Sequence, residues 1–159
     1  MRAYVVYDSW YGDTRRIAQE IARGIAERTG TDPAVVEVDH AAPPLAASAD
    51  LLVVGTPNHF GGPTRKVRQF VRDLRVSGTL RGTLAVFDTC FEGEAGKAAH
   101  KLALLLVELQ GHEGTAPSEI STLVEGTRGP LRSGELERAH VFGAELARAI
   151  RRVPVVVAA

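Results

Sequence analysis

Short apolar runs that alternate with helix-like segments are the feature that most limits the folds open to this chain of 159 residues. The runs LLVVG at 51–55 and TLAVF at 83–87 lack the polar alternation of a half-solvated sheet, which indicates strands covered on both faces. Parallel strands need long crossovers, and the segments between the runs are long enough to supply helices. The pattern predicts a five-stranded, doubly wound α/β sheet.

The predicted strands and helices alternate along the whole chain. Strands are expected at 3–7, 34–38, 51–55, 84–87 and 120–124. Helices are expected at 14–28, 66–74, 95–109 and 134–153. Residues 41–49 are interpreted as a loop, and Pro154 is expected to end the last helix. The valines after it could add an edge strand, pack on the same chain or meet another subunit, and packing on the same chain is preferred.

Composition and charge exclude several classes of protein. The 19 basic and 19 acidic side chains cancel, and there is no basic block of the kind that follows nucleic-acid phosphates. Cys90 is the only cysteine, so no disulfide can form within the chain. The opening MRAYVVYDSW fits neither a secretion signal nor a membrane span, so a cytoplasmic protein is expected. Without a repeat or a long linker, residues 1–159 are expected to form one domain.

The turn after the first predicted strand, SWYGDT at 9–14, has the composition of an anion site. It places hydroxyl groups and free backbone N–H groups at the start of a helix. Gly12 would let the backbone curve around a phosphate, and Ser9 and Thr14 could each donate a hydrogen bond. The alternative, equally weighted, is that Ser9, Asp13 or Thr14 only caps the helix. A P-loop and a dinucleotide fingerprint are both excluded, since the required Lys and glycines are missing.

The segment YDSWYGDTRRIA resembles the phosphate loop of the flavodoxin family, through Ser9, Gly12 and Thr14. The resemblance implies a three-layer sandwich with helices on both faces and strand order 2-1-3-4-5. It also implies FMN as the cofactor, with its phosphate held by Ser9, Trp10, Tyr11, Gly12, Asp13 and Thr14. Tyr11 and Asp13 depart from the frequent Thr and Asn of this loop, and Asp13 brings a carboxylate near a phosphate dianion.

Two further segments resemble the loops that hold the flavin ring in this family. GTPNHFGG at 55–62 is closest in wording to the second loop of flavodoxin-like quinone reductases, which implies a ring lined by Thr56, Pro57, Asn58, His59, Phe60 and Gly61. The alternative is that Phe60 packs on the core and His59 is solvated. FDTCFEGEAG at 87–96 stands in place of the third loop, where Phe91 would stack on the ring beside Asp88, Thr89, Cys90 and Gly93. Cys90 is more simply a small buried residue than a redox thiol.

The end of the chain extends the resemblance. Residues 123–147 are similar to the end of a short flavodoxin-like domain, with GPL at 129–131 leading into the last helix. The resemblance therefore covers essentially the whole chain.

Three functions remain open at this point. The first is an FMN-dependent electron carrier between a reductase and a partner enzyme, although carriers of this family tend to be acidic and this chain is neutral. The second is a small FMN-dependent NAD(P)H:quinone oxidoreductase, in which His59 could orient the substrate; the greater length of such enzymes argues against it. The third is a flavin-free interaction domain. The five histidines show no evident partner, so no catalytic or metal-binding constellation is expected.

Overall fold

The computed structural model describes residues 1–111 and 114–151 and contains a five-stranded parallel sheet. Its strands are β1 (Ala3–Tyr7), β2 (Ala34–Glu37), β3 (Leu51–Pro57), β4 (Thr83–Cys90) and β5 (Ser118–Leu123). The spatial order is β2-β1-β3-β4-β5, and every neighbouring pair is parallel. The predicted fold class and strand order are confirmed. Pro154 and the valine run lie outside the described residues, as do the last two residues of the predicted final helix.

Helices connect the strands. They are α1 (Asp13–Thr29), α2 (Pro43–Ala47), α3 (Arg65–Ser77), α4 (Lys97–Val107) and α5 (Glu135–Arg151). The short helix α2 lies in the stretch interpreted as a loop. It begins at Pro43 because proline is tolerated in the first turn of a helix, and it buries Ala46 and Ala47. No helix in the described part of the chain is long and apolar enough to cross a membrane.

The two faces of the sheet carry separate cores. Val6 and Val54 point to the face covered by α2, α3 and α4, whereas Val5 and Val53 point to the face covered by α1 and α5. This alternation is the period of two that a strand imposes on its side chains. Since both faces are covered, the central strands are apolar at nearly every position, as their continuous apolar runs indicate.

Strands β3 and β4 continue past the predicted ends. Thr56 pairs with Asp88, and Pro57 pairs with Thr89, so both strands run on as one ladder. Strand β5 extends the same ladder, because Cys90 pairs with Leu123. Several residues expected in loops therefore lie on the rigid carboxyl ends of strands: Thr56, Pro57, Asp88, Thr89 and Cys90.

Close packing between β3 and β4 depends on a glycine. A Cβ atom at Gly55 would lie 1.9 Å from the ring of Phe87, which is fully buried. Helices α1 and α5 also approach through glycine, since a Cβ atom at Gly24 would lie 2.1 Å from the carbonyl oxygen of His140. The ring of Phe87 fills the space that a side chain at position 55 would occupy, beside the edge where the strands end.

Candidate ligand-binding cleft

A cleft opens at the carboxyl ends of β1, β3 and β4. It is lined by Trp10, Tyr11, Asp13, Thr14, Pro57, Asn58, Thr89, Cys90, Phe91, Val124 and Thr127. All of these except Val124 and Thr127 belong to the set predicted from the sequence. The strand order reverses between β1 and β3, and doubly wound sheets bind ligands at such a reversal.

The turn from Ser9 to Thr14 forms the first wall of the cleft. The hydroxyl oxygen of Ser9 accepts hydrogen bonds from the N–H groups of Gly12 at 3.1 Å and Arg15 at 3.3 Å. Gly12 precedes the first residue of α1 with φ at 96°, a conformation that favours glycine. Ser9 thus bonds the N–H of the third residue of α1, as expected of a helix cap, and it also shapes the turn. The alternative role, binding of a phosphate at this turn, stays a prediction. Ser9 and Gly12 are not among the residues that line the cleft.

Asp13 places a carboxylate on the wall of the cleft. A Cβ atom at Gly129 would lie 2.6 Å from Oδ2 of Asp13, so the side chain packs against the backbone of that glycine. Burial raises the pKa of Asp13, and the nearby Arg16 partly offsets the rise. An ionised carboxylate here repels an anion bound at the N-terminus of α1.

Asn58 contributes an acceptor without a partner to the second wall. Its N–H donates to the carbonyl oxygen of Thr89 at 2.8 Å, which fixes the backbone. Its side-chain oxygen Oδ1 is buried and has no hydrogen-bond partner among the described residues. An unpaired buried acceptor costs about 1–3 kcal/mol. Asn58 also lines the cleft, which makes a ligand N–H group a candidate partner for this oxygen.

Thr56 lies below this wall and organises it. Its hydroxyl accepts the N–H of Thr64 at 3.1 Å and donates to the carbonyl of Pro57 at 2.8 Å. The Thr64 hydroxyl in turn donates to Oδ2 of Asp8 at 2.6 Å. Asp8 was not singled out by sequence, although its position directly after β1 was a signal. These bonds join the ends of β1 and β3 beneath the cleft.

The turn from His59 to Gly62 lies beside the cleft, next to Trp10, and does not line it. His59 and Gly62 exchange two backbone hydrogen bonds, of 2.8 Å and 3.1 Å. Phe60 at the tip has φ of 51° and is 95% exposed, and Gly61 has φ of 77°. Packing of Phe60 on the core is therefore wrong as an interpretation, and none of His59, Phe60 and Gly61 lines the cleft. The ring of His59 lies 5.1 Å from that of Trp10 and 4.6 Å from that of Phe60.

The third wall consists of Thr89, Cys90 and Phe91. Burial raises the pKa of Cys90 to about 11, and its Sγ lies 3.2 Å from the hydroxyl of Ser121. The thiol therefore stays protonated, in keeping with a small buried residue. Phe91 is the exposed aromatic of this wall.

Asp88 turns away from the cleft. Its carboxylate accepts the N–H of Ala99 in the first turn of α4, at 2.8 Å, and the hydroxyl of Ser121. Burial raises the pKa of Asp88, and these hydrogen bonds oppose the rise. Asp88 thus anchors α4 instead of lining the cleft. Gly93 also lies outside the lining, and nothing stands within 4 Å of a Cβ atom built there.

The segment after β5 closes one side of the cleft, which sequence reasoning missed. Val124 and Thr127 line the cleft, and the guanidinium of Arg128 lies 5.8 Å from the centre of the Tyr11 ring. The N–H of Val124 donates to the carbonyl of Cys90 at 2.9 Å, which fixes the segment to β4. Residues 123–147 are predicted only as the end of the domain, with GPL and GELERA leading into the last helix, and no ligand contact is predicted there. The signal was present, because all parallel strands end at the same edge and β5 ends just before Val124.

Two histidines have partners, contrary to the sequence analysis. Nδ1 of His100 lies 3.1 Å from Glu119, and His140 contacts Glu20 at 3.0 Å and Glu27 at 2.7 Å. The expectation failed because these pairs join residues far apart in sequence. Neither histidine lines the cleft, so both pairs are structural.

Comparison with known proteins gives a consistent family. A family model described as "Flavodoxin domain" matches residues 4–115. A protein named flavodoxin from Aquifex aeolicus is 32% identical over a match that covers 52% of this chain and 44% of that protein. A protein named NAD(P)H dehydrogenase (quinone) from Geobacter sulfurreducens is 31% identical, covering 54% of this chain and 55% of that protein. The matched part spans about half the length of these two relatives.

Solved structures show the same fold. A flavodoxin from the domain Archaea superposes with a TM-score of 0.78 at 21% identity, covering 95% of this chain and 99% of that one. A flavodoxin from Streptococcus pneumoniae TIGR4 superposes with a TM-score of 0.75 at 22% identity, covering 94% of this chain and 99% of that one. At these identities the likeness supports the fold alone.

Proposed function

Because this chain belongs to the flavodoxin family, we propose that it binds FMN in the cleft and carries electrons between a reductase and an acceptor protein. FMN is the cofactor that membership of this family implies, and when bound it supplies a ring that accepts and releases electrons. The protein supplies binding, orientation and shielding. The observation that supports the proposal is that the turn at the N-terminus of α1 and the residue Asn58, whose side-chain oxygen is unpaired among the described residues, line one cleft.

The phosphate end of the cleft would be the turn from Ser9 to Thr14. This turn stands at the N-terminus of a 17-residue helix, where the helix dipole favours an anion. The N–H groups of Gly12 and Arg15 are bonded to Ser9, so a phosphate would have to use the other N–H groups of the turn or replace Ser9 as the acceptor. The Thr14 hydroxyl adds a polar group on the same wall. Neutralisation by amides and hydroxyls suits a phosphate monoester, whereas Asp13 reduces the affinity as long as it is ionised.

The ring end would be the space between the aromatic residues and Asn58. Trp10, Tyr11 and Phe91 are large, partly exposed aromatics around the opening, and such side chains favour stacking with a flat ring. Oδ1 of Asn58 would accept a hydrogen bond from an N–H group of that ring. The residues present therefore fit FMN.

A carrier fits the chemistry of this lining better than an enzyme with its own acid or base. The titratable side chains that line the cleft are Tyr11, Asp13 and Cys90. The raised pKa of Cys90 leaves its thiol protonated, and Asp13 packs against backbone. Electron transfer requires no proton donor from the protein, only a ring that partners can approach. We propose residues 1–159 as one domain with this function.

A second candidate is an NAD(P)H:quinone oxidoreductase. The Geobacter relative carries such a name, and the turn at 59–62 holds His59 against Trp10 at the opening of the cleft. There the imidazole could orient an acceptor molecule. A single measurement separates the candidates, because a reductase turns over NAD(P)H with a quinone without any second protein.

The test begins with cofactor binding. Purified protein is expected to show absorbance bands near about 370 and 450 nm, and stripped protein should bind FMN at least about tenfold more tightly than riboflavin. The variant Asn58→Leu should weaken the binding of FMN and of riboflavin equally, because it alters only the ring end of the cleft. Steady oxidation of NAD(P)H by a quinone would favour the second candidate. A colourless protein that ignores FMN at high micromolar concentration would overturn both.

A further inference from the structure

The residue types in the exposed turn from His59 to Gly62 are not explained by a contribution to folding stability. Phe60 sits at its tip in a left-handed conformation, and a side chain that is 95% exposed gains little from packing, beyond its contact with the His59 ring, to offset the strain. The positive φ values of Phe60 and Gly61 are those of a type I′ turn, for which Asn-Gly is the favoured pair. A phenylalanine in this position lowers the stability of the folded chain, so its role is something other than stabilising the fold.

Three cationic side chains and one carboxylate lie beside this turn. A Cβ atom at Gly61 would lie 3.7 Å from Nζ of Lys101, 3.8 Å from Cδ of Lys97 and 3.9 Å from Oε2 of Glu94. A Cβ atom at Gly62 would lie 2.6 Å from a guanidinium nitrogen of Arg68. The three side chains are exposed and cover the buried glycine backbone. Glu94 pairs with Lys97 at 3.2 Å, so among these charges the balance stays positive. The chain as a whole is neutral, which makes this a local concentration of positive charge.

The patch is continuous with the cleft. Trp10 lines the cleft, its ring meets that of His59 at 5.1 Å, and His59 meets Phe60 at 4.6 Å. A protein that covered Phe60 would therefore rest beside the opening of the cleft. Aromatic residues such as Phe are enriched at protein interfaces, whose rims are polar.

We propose that Phe60 with Arg68, Lys97 and Lys101 forms the docking surface for an acidic redox protein, whose carboxylates meet the cations around an apolar centre. We call these four residues the Phe60 patch. The proposal rests on the proposed function for its purpose, but the contact itself requires no flavin. Charge complementarity selects the partner and guides its approach, and the aromatic residue holds it.

The test measures binding and cofactor content separately. The probe is a plant-type [2Fe–2S] ferredoxin, a strongly acidic redox protein, and cytochrome c serves as a basic redox protein of similar size. Binding is followed by fluorescence anisotropy of labelled probe at about 20 mM and 200 mM salt, since screening weakens exposed charge contacts. Ferredoxin should bind at low salt and cytochrome c should not.

Two matched double variants locate the contact. Lys97→Glu with Lys101→Glu should weaken ferredoxin binding at least tenfold. Arg75→Glu with Arg81→Glu makes the same change in net charge at the opposite end of the sheet and should leave binding within twofold. Phe60→Asn should weaken binding about fivefold while raising the midpoint of thermal unfolding, because Asn suits the turn better.

Three results would overturn the proposal: no binding of ferredoxin at low salt, preference for cytochrome c, or equal loss in the two double variants. Displacement of ferredoxin by a small anionic nucleotide, 2′,5′-ADP, would reassign the cations to a nucleotide site. Failure of the protein to bind FMN would defeat the proposed function alone, because anisotropy reports the contact with or without flavin.

Discussion

The hydroxyl groups of Thr14 and Thr89 share a hydrogen bond of 2.8 Å and tie the first turn of α1 to the end of β4. Both groups are buried, so removing one leaves the other unpaired. Thr89→Val should lower the free energy of unfolding by about 1–2 kcal/mol, measured by urea denaturation. Thr115→Val, at an exposed position, serves as the control.

The double variant Thr14→Val with Thr89→Val completes a cycle. It should lose less stability than the sum of the single variants, because no unpaired hydroxyl remains. Additive losses would show that the two side chains act independently.

Asp13 should limit the affinity for FMN. Asp13→Asn removes the carboxylate from the phosphate end of the cleft and should tighten FMN binding roughly fivefold, because one repulsive charge pair is lost. Riboflavin, which lacks the phosphate, should bind equally well to both proteins. Fluorescence titration measures both ligands.

The pH dependence gives a second readout for Asp13. Its pKa is raised by burial, so protonation on acidification relieves the repulsion at a higher pH than for an ordinary aspartate. The ratio of FMN affinities between Asp13→Asn and the parent protein should shrink as the pH falls through the raised pKa of Asp13. A ratio that stayed constant would place the carboxylate away from the phosphate.

His140 should stabilise the packing of α1 against α5 only in acid. The hydrogen bond to Glu27, with help from Glu20, raises the pKa of His140 above its value in the unfolded chain, about 6.5. Its stabilising effect is complete below that unfolded value and disappears as the pH rises through the raised folded value. His140→Gln should therefore lose more stability at pH 5.5 than at pH 9. An equal loss at both would contradict a charged pair.

Gly55 should not tolerate a side chain. Gly55→Ala would place Cβ 1.9 Å from the Phe87 ring and should cost about 3 kcal/mol or more, or prevent folding. Gly93→Ala, where nothing lies within 4 Å, should fold with nearly unchanged stability. If Gly55→Ala abolishes folding, the added substitution Phe87→Leu should restore part of it. Thermal unfolding followed by circular dichroism measures all of these variants.

Cys90 should react slowly despite its place in the cleft wall. With a pKa of about 11, its thiolate fraction at pH 8 is roughly two hundred times smaller than that of a free cysteine. Iodoacetamide should therefore modify the native protein far more slowly than the urea-unfolded protein. Comparable rates in the two states would show that the thiol is neither buried nor shifted.

Much of the fold follows from local sequence, because its central strands are apolar on both faces. Short apolar runs such as 51–55 favour strands covered on both faces, and the helical segments between them favour a parallel arrangement. Motif resemblance then pointed to the three segments after β1, β3 and β4, and each of them contributes to the lining of the cleft. Predictions from sequence succeed where the residues of a single segment determine the structure of that segment.

The remaining features depend on partners that are distant in sequence. The sequence predicts Asp88 in a loop, because the groups that bond its carboxylate, on Ala99 and Ser121, are distant in sequence. The continuation of β4 through Asp88 could therefore not be predicted. The exposure of Phe60 depends on a turn closed by backbone hydrogen bonds, which local sequence does not settle. The contact between Arg128 and Tyr11 joins two residues that are far apart in sequence.

The continuation of β3 and β4 into the cleft has a consequence for how the binding site comes into being. The N–H of Asn58 is bonded to Thr89 across this extended ladder, so this wall is part of the sheet and not a separate flap. The amide hydrogens of this wall should exchange with solvent as slowly as those of the central strands. This wall should then be present in every folded molecule, so a ligand that binds against it does not have to order it first.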